Sequence, residues 1–272
     1  MKGTSSHKDL LRERKLPFCP GCGIFTVMNL FLKAVNELGH KDFRKFVFCS
    51  GIGCSSWIPS PYFKADSIHT PHGRSIPVAT GVKSVRPDLC VVVFGGDGDI
   101  TGIGMSHFIH AARRNLDILV IMVNNMVYGM TGGQVAPTTP VNMKTSTTPY
   151  GNRDRPLDAA ALAVTAGAAY SARWTTAHPM ELKESIKKAI EMKGYRFIEI
   201  VSQCPTAFGK RAGFKNIAEI LKWFKQKSIF FQHSKKISRK QLEKRIIVGE
   251  FVGGKGSSII EQSVQPIKGV DK

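Results

Sequence analysis

Cys90-Val91-Val92-Val93-Phe94-Gly95-Gly96-Asp97-Gly98-Asp99 is an apolar run that stops abruptly in glycine and carboxylate. Five apolar residues in a row predict a strand buried on both faces, as in a parallel sheet. The Gly-Asp-Gly-Asp turn and the helical pattern over about 103–114 then put a carboxylate and glycine N–H groups at the strand's carboxyl end. A second apolar run, Ile118-Leu119-Val120-Ile121-Met122-Val123, ends in Asn124-Asn125. Two such strands side by side bring Asp97 and Asn125 to one edge of the sheet.

Outward from this pair the alternation continues. Thr26 to Leu38 carries apolar residues at helical spacing and stops at Gly39. Lys45 to Cys49 predicts a short buried strand, Pro77 to Val85 a helix, Arg86-Pro87-Asp88 a turn, and Gly129 to Pro156 a loop. Ala159 to Gly167 and Met180 to Lys193 predict helices, and Phe197 to Val201 another strand. Alternating strands and helices predict an α/β fold, a parallel sheet with helices on both faces. The domain expectation is a 1–205 core followed by a basic 206–272 extension. That extension is the least regular part, and its Gly253-Gly254-Lys255-Gly256-Ser257-Ser258 predicts flexibility.

The chain has 272 residues, 42% of them apolar, and a formal charge of +19. No run approaches the roughly 18–20 apolar residues of a membrane span, and the first residues lack an apolar signal core, so the expected location is the cytoplasm. Between Pro205 and Val248, twelve Lys or Arg face only Glu219 and Glu243, which leaves +10. Such a segment is a solvated surface or a patch for an acidic partner, for which a small acidic redox protein is the expectation. No nucleic-acid recognition motif accompanies the charge.

The Gly-Asp-Gly-Asp turn suits a diphosphate. Gly98 and Asp99 offer backbone N–H groups at a helix start, where the dipole favours anions. Asp97 offers a hard oxygen to Mg²⁺, Asn125 a side-chain oxygen and Val127 a loop carbonyl. Six cysteines in a chain of this kind argue for metal ligation or burial rather than a disulfide framework. Cys49 and Cys90 lie in apolar runs and predict core positions. Cys19-Pro20-Gly21-Cys22 is a chelating Cys-x-x-Cys, whereas Cys54 and Cys204 are isolated.

The chain resembles the β subunit of 2-oxoacid:ferredoxin oxidoreductases, which bind thiamine diphosphate. The resemblance covers roughly residues 17 to 210. It rests on Cys19-Pro20-Gly21-Cys22-Gly23, Gly51-Ile52-Gly53-Cys54-Ser55, His72-Gly73-Arg74 and Gly96-Asp97-Gly98-Asp99, continued by His110-Ala111-Ala112-Arg113-Arg114-Asn115, Tyr128-Gly129-Met130-Thr131-Gly132-Gly133-Gln134 and Gln203-Cys204-Pro205. It implies the thiamine diphosphate-binding fold, with Mg²⁺ on Asp97, Asn125 and the Val127 carbonyl. It also implies that Ile52, Gly53, Cys54, Ser55, His72, Gly98, Asp99, Gly129 and Met130 line the cofactor.

Four thiols, on Cys19, Cys22, Cys54 and Cys204, suit a [4Fe–4S] cluster or a structural zinc, and spacing alone does not choose. The place of Cys54 inside the cofactor loop favours iron–sulfur, and the resemblance points the same way. The implied reaction is coenzyme A-dependent oxidative decarboxylation of a 2-oxoacid, with electrons passing through the cluster to ferredoxin. The best match is 2-oxoglutarate; pyruvate or a branched-chain 2-oxoacid is the alternative, as is a non-redox thiamine diphosphate decarboxylase or synthase. Trp57 stands where some members carry a basic residue. No carboxylate here serves as the activator of the cofactor's pyrimidine ring, so the resemblance implies an α (or fused γα) partner subunit, with a separate ferredoxin-like subunit as a further possibility and neither nucleic acid nor membrane as a partner.

Overall fold

The strand that runs into the Gly-Asp-Gly-Asp turn, β3 (Cys90–Gly96), sits third in an eight-stranded sheet. The computed structural model describes residues 7–15, 17–234, 237–242 and 244–251. Along the sheet the order is β2 (Asp66–His69), β1 (Phe46–Ser50), β3, β4 (Leu119–Asn124), β8 (Arg196–Val201), β7 (Tyr170–Thr175), β10 (Ile246–Glu250) and β9 (Ser228–Phe230), while β5 (Val127–Tyr128) and β6 (Gln134–Val135) form a separate antiparallel pair. The six strands from β2 to β7 are mutually parallel, and β10 joins β7 antiparallel. Every residue of β1, β4, β7 and β8 is buried, as both-face coverage demands.

Helices cover both faces. Val92 and Phe94 point to one side, where they meet Val27, Phe31 and Val35 of α1 (Ile24–Glu37) and a core shared with α5 (Pro179–Glu191). Val91 and Val93, one residue out of step, point to the other. There they join α2 (Ser75–Val85), α3 (Met105–Arg113) and α4 (Ala159–Thr165) through Ile76, Ala79, Phe108, Ala112, Ala160 and Ala163. The expected α/β architecture is therefore present, with an antiparallel edge that the sequence does not announce.

Two departures matter. The helix expected over about 103–114 is preceded by a π-helical turn, Gly98–Ile103, which begins directly at the Gly-Asp-Gly-Asp motif. Residues 206–251 build α6 (Ile217–Lys227), β9 and β10, and the last two strands extend the main sheet. The described part of the basic extension is thus integral to the sheet edge. Gly253 to Ser258 lies outside the described residues.

The chain leaves β1 toward β2 on one side and leaves β3 toward β4 on the other. The connections leaving the carboxyl ends of β1 and β3 therefore run to opposite sides, and such a switch point is where open parallel sheets form ligand crevices.

Candidate cofactor and thiol site

The strand ends build a single pocket of about 110 Å³. From the loop after β1 come Ile52, Gly53, Cys54 and Ser55; from the loop before α2 comes His72. The β3 turn supplies Asp97, Gly98 and Asp99, and the segment after β4 supplies Asn125, Val127, Gly129 and Met130. Every residue expected at the cofactor or its cation thus faces one cavity. Sequence reasoning missed Thr131 and Tyr128 of the same lining and Thr138 just behind it.

Glycines at the turn are sterically required. A Cβ on Gly98 would lie 2.1 Å from the Tyr128 ring, and one on Gly51 2.2 Å from Asp99 Oδ2. The second half of the pocket hinges on Met126, whose φ of 64° turns the chain back after β4. Asn124 Oδ1 accepts the Met126 N–H at 2.9 Å, and Thr139 Oγ1 donates to the Met126 carbonyl at 2.6 Å. Asn125 Oδ1 accepts the Val127 N–H at 3.2 Å and keeps a second lone pair.

Asp97 is 2% exposed. Burial pushes its carboxyl up to about 7, against the Thr138 hydroxyl and backbone N–H groups that favour the charged form. No basic side chain among the described residues offsets it. A buried carboxylate with no cation of its own fits a site for a hard metal ion. Two further buried atoms facing the pocket have no partner, Ser55 Oγ and Asp99 Oδ2. Orphaned polar atoms beside a glycine-lined turn fit a bound polar cofactor.

The Asp99 side chain does something the sequence did not suggest. Its Oδ1 accepts the Gly73 N–H at 2.7 Å, the Ile52 N–H at 3.2 Å and His72 Nδ1 at 2.5 Å. A carboxylate can only accept, so Nδ1 carries the proton of this bond. Asp99 therefore latches the Cys54 loop to the His72 loop.

The thiols converge from three parts of the chain. The Cys19–Cys22 turn closes with Cys22 N–H on the Cys19 carbonyl at 3.0 Å, and Gly21 takes φ 73°. Gly23 N–H donates to the Gln203 carbonyl at 2.9 Å, which fastens this turn beside Cys204. Thr206 Oγ1 lies 3.8 Å from both Cys19 Sγ and Cys204 Sγ. Burial raises the Cys22 thiol to about 12, and the Cys204, Cys54 and Cys19 sulfurs push in the same direction. Burial likewise raises Cys54 to about 11, again with Cys204 and Cys19 contributing. All four sulfurs thus lie within electrostatic reach of one another, yet no three His, Cys, Asp or Glu among the described residues close on a single-ion site. Cys49 is fully buried in the core on one face of the sheet; Cys90 packs at the border of the core on the other. Trp57 is 42% exposed beside the His69 ring and does not line the pocket.

Fold and pocket define a thiamine diphosphate-binding protein: residues 51–200 match the thiamine pyrophosphate enzyme, C-terminal TPP binding domain family. Within that class the chain belongs to the 2-oxoacid:ferredoxin oxidoreductase β subunits. It is 50% identical over 254 residues to the 2-oxoglutarate synthase subunit KorB of Methanocaldococcus jannaschii, covering 93% of each chain. It is 45% identical over 190 residues to the 2-oxoacid:ferredoxin oxidoreductase subunit beta of Saccharolobus solfataricus, covering 70% of this chain and 62% of that one. A solved structure of the 2-oxoglutarate:ferredoxin oxidoreductase from Magnetococcus marinus, with 2-oxoglutarate, coenzyme A and succinyl-CoA bound, superposes with a TM-score of 0.84 at 33% identity, covering 97% of this chain and 89% of its own. Membership sets aside the non-redox decarboxylase or synthase.

Proposed function

We propose that this chain is the β subunit of a 2-oxoglutarate:ferredoxin oxidoreductase, holding thiamine diphosphate, Mg²⁺ and one [4Fe–4S] cluster, and using coenzyme A as co-substrate. One observation carries the reading: Cys54 lines the cofactor pocket and also belongs to the thiol quartet. The cofactor and the electron acceptor would share one loop.

Asp97, Asn125 and the Val127 carbonyl would hold Mg²⁺, and the N–H groups of Gly98 and Asp99 would meet the diphosphate. Thiamine diphosphate, when bound, supplies the electron sink for decarboxylation of a 2-oxoacid. This chain's contribution is position. Asp99 fixes the Cys54 and His72 loops, and the Tyr128 ring packs against Gly98 at the turn. Cys19, Cys22, Cys54 and Cys204 would ligate the cluster. The place of Cys54 in the cofactor pocket supports a redox-active cluster over a redox-inert zinc.

A 110 Å³ pocket is smaller than the roughly 300–1,000 Å³ that organic ligands occupy. Its rim exposes Ile52 at 40% and Met130 at 48%. Both facts support an α (or γα) subunit that covers the rim and completes the site. The exposed Cys19 side of the quartet supports electron exit to ferredoxin. Helix α6 begins there, since Ile217 Cδ1 lies 1.8 Å from where a Gly21 Cβ would stand. Its exposed Lys222 and Lys225 would face an acidic partner. Six free thiols support a cytoplasmic setting, and among the described residues no helix is long and apolar enough to cross a membrane.

The name of the KorB relatives supports 2-oxoglutarate as the substrate. The test is a screen of 2-oxoacids with the purified α–β complex, coenzyme A and a viologen acceptor. The expected result is succinyl-CoA formation from 2-oxoglutarate above all others. Preference for pyruvate would overturn the substrate, and turnover without reduction of the acceptor would overturn the redox role.

A further inference from the structure

We infer that Thr138 is a positioning residue for Asp97, the proposed magnesium ligand, and that a buried polar chain ending on Arg173 holds it in register. The inference rests on the magnesium reading above.

Thr138 Oγ1 lies 2.7 Å from Asp97 Oδ2 and 3.0 Å from Asn124 Oδ1. A hydroxyl has one proton, and both neighbours are acceptors. The identity of the acceptors is certain because Asn124 cannot turn over. Its Nδ2 donates to Glu199 Oε1 at 2.7 Å, while its Oδ1 already accepts the Met126 N–H. Glu199 is fixed in turn by Arg173 Nε, which donates to Oε2 at 2.7 Å. Arg173 also donates to Asp158 and, from Nη1, to the Ile247 carbonyl of β10 at 3.2 Å. Thr138, Asn124, Glu199 and Arg173 are each at least 93% buried, so water does not compete for these bonds.

With its orientation imposed on one side, the Thr138 proton goes to the closer, charged acceptor, Asp97 Oδ2. That bond stops the Asp97 carboxyl group from rotating. Mg²⁺ tolerates little departure from octahedral geometry, so a ligand that rotates freely is a poor one. Groups that orient metal ligands in this way are worth about 10–100-fold in metal affinity. Thr138 is the one side chain among the described residues that hydrogen-bonds the Asp97 carboxyl.

The experiment uses the assembled α–β complex stripped of cofactor. Thiamine diphosphate binding is titrated calorimetrically at a series of Mg²⁺ concentrations, with iron content and thermal transition recorded for each variant. Thr138→Val keeps the shape and removes the hydroxyl. It should raise the Mg²⁺ concentration for half-maximal cofactor binding about 10–100-fold, with iron retained. Thr138→Ser restores the hydroxyl and should return the midpoint to the wild-type value. A wild-type midpoint in Thr138→Val, while Asp97→Asn loses binding, overturns the positioning role. A serine variant as impaired as the valine variant also overturns it, because the hydroxyl is then not the cause. If Asp97→Asn binds normally, the magnesium reading fails and this inference fails with it.

Discussion

Exchanging Asp99 for asparagine tests whether the latch at the pocket floor organises the site. The change preserves volume and alters only charge and one donor. In the wild type, Oδ1 holds Gly73 N–H, Ile52 N–H and His72 Nδ1. A hydrogen bond to a charged group contributes about 1.5–3 kcal/mol and a neutral one about 0.5–1.5 kcal/mol. The loss is therefore about 1 kcal/mol per bond and about 3 kcal/mol for the three. The amide nitrogen of Asn would take the place of Oδ2, which is buried and already lacks a partner, so that term changes little. Turning the amide over would set NH₂ against three N–H donors and is worse. Three kcal/mol is about two powers of ten in the balance between latched and unlatched loops.

Asp99→Asn should therefore weaken thiamine diphosphate binding to the assembled complex by up to about 100-fold at saturating Mg²⁺. Because Cys54 rides on the same loop, the electron paramagnetic resonance signal of the reduced cluster should broaden or shift, with iron content retained. Calorimetry gives the first number and spectroscopy the second. Wild-type affinity together with an unchanged cluster signal would show that the two loops are held without Asp99, and would refute the latch.

Asp97→Ala should abolish cofactor binding at physiological Mg²⁺, measured by the same titration, since it removes the anionic ligand. The pH dependence has a definite sign: burial raises the metal-free carboxyl from 3.8 to about 7. Its favourable contribution to the metal-free fold is therefore complete below pH 3.8 and lost as pH rises through 7, whereas Mg²⁺ needs the ionised form. Mg²⁺-dependent binding should weaken about tenfold from pH 8 to pH 6 through this group, and a flat profile after correction for the titration of free cofactor would contradict it. Serine at Cys19, Cys22, Cys54 or Cys204 should lower iron from about four per chain, whereas Cys49→Ser and Cys90→Ser should keep it; one zinc with no iron in the native protein would sink the cluster. Lys222→Glu with Lys225→Glu should slow ferredoxin reduction at low salt, the effect fading as the screening length falls to about 8–10 Å, with small viologens reduced at the original rate. Lys235 and Lys236 of the same basic segment, and the side chains of Arg239 and Lys240, lie outside the described residues.

What the sequence disclosed follows from where each polar group finds its partner. β1, β3, β4 and β8 read as strands because burial on both faces makes them nearly continuous apolar runs. β7, Tyr170-Ser171-Ala172-Arg173-Trp174-Thr175, is just as buried, yet every second residue is polar. Its Arg173 is neutralised by Glu199, directly opposite on β8, and by Asp158. That compensation is 15 to 26 residues away and leaves no local pattern. β9 and β10 were hidden in the same way by the lysines around them. The pocket was legible where a motif sits on a strand end, as at Asp97 and Asn125. Thr138 was not, because its only signal is a hydrogen bond across 41 residues.

The two ends of the sheet show how a structural carboxylate differs from one that awaits a ligand. Asp117 precedes β4 at the amino end, and Lys83, Arg196 and Lys193 lie 2.8, 2.5 and 3.5 Å from it. Burial pushes its carboxyl up, but the three cations outweigh burial and hold it below the usual range. Asp97 ends β3 at the carboxyl end, is as deeply placed, and has hydrogen-bond donors but no cation among the described residues. Fully paired, Asp117 ties α2 and β8 together and asks for nothing more. Removing one partner of such a buried pair typically costs about 3–5 kcal/mol. Asp97 already stands in that unpaired condition in the metal-free chain. Hydrogen bonds from Thr138 and the backbone reduce the penalty without removing it; protonation removes it at low pH, and a cation from outside the chain would remove it with the carboxylate ionised. The same residue type in the same sheet is thus a brace at one end and, at the other, a buried carboxylate whose cost a bound cation would recover, which is what the proposed magnesium site asks of it.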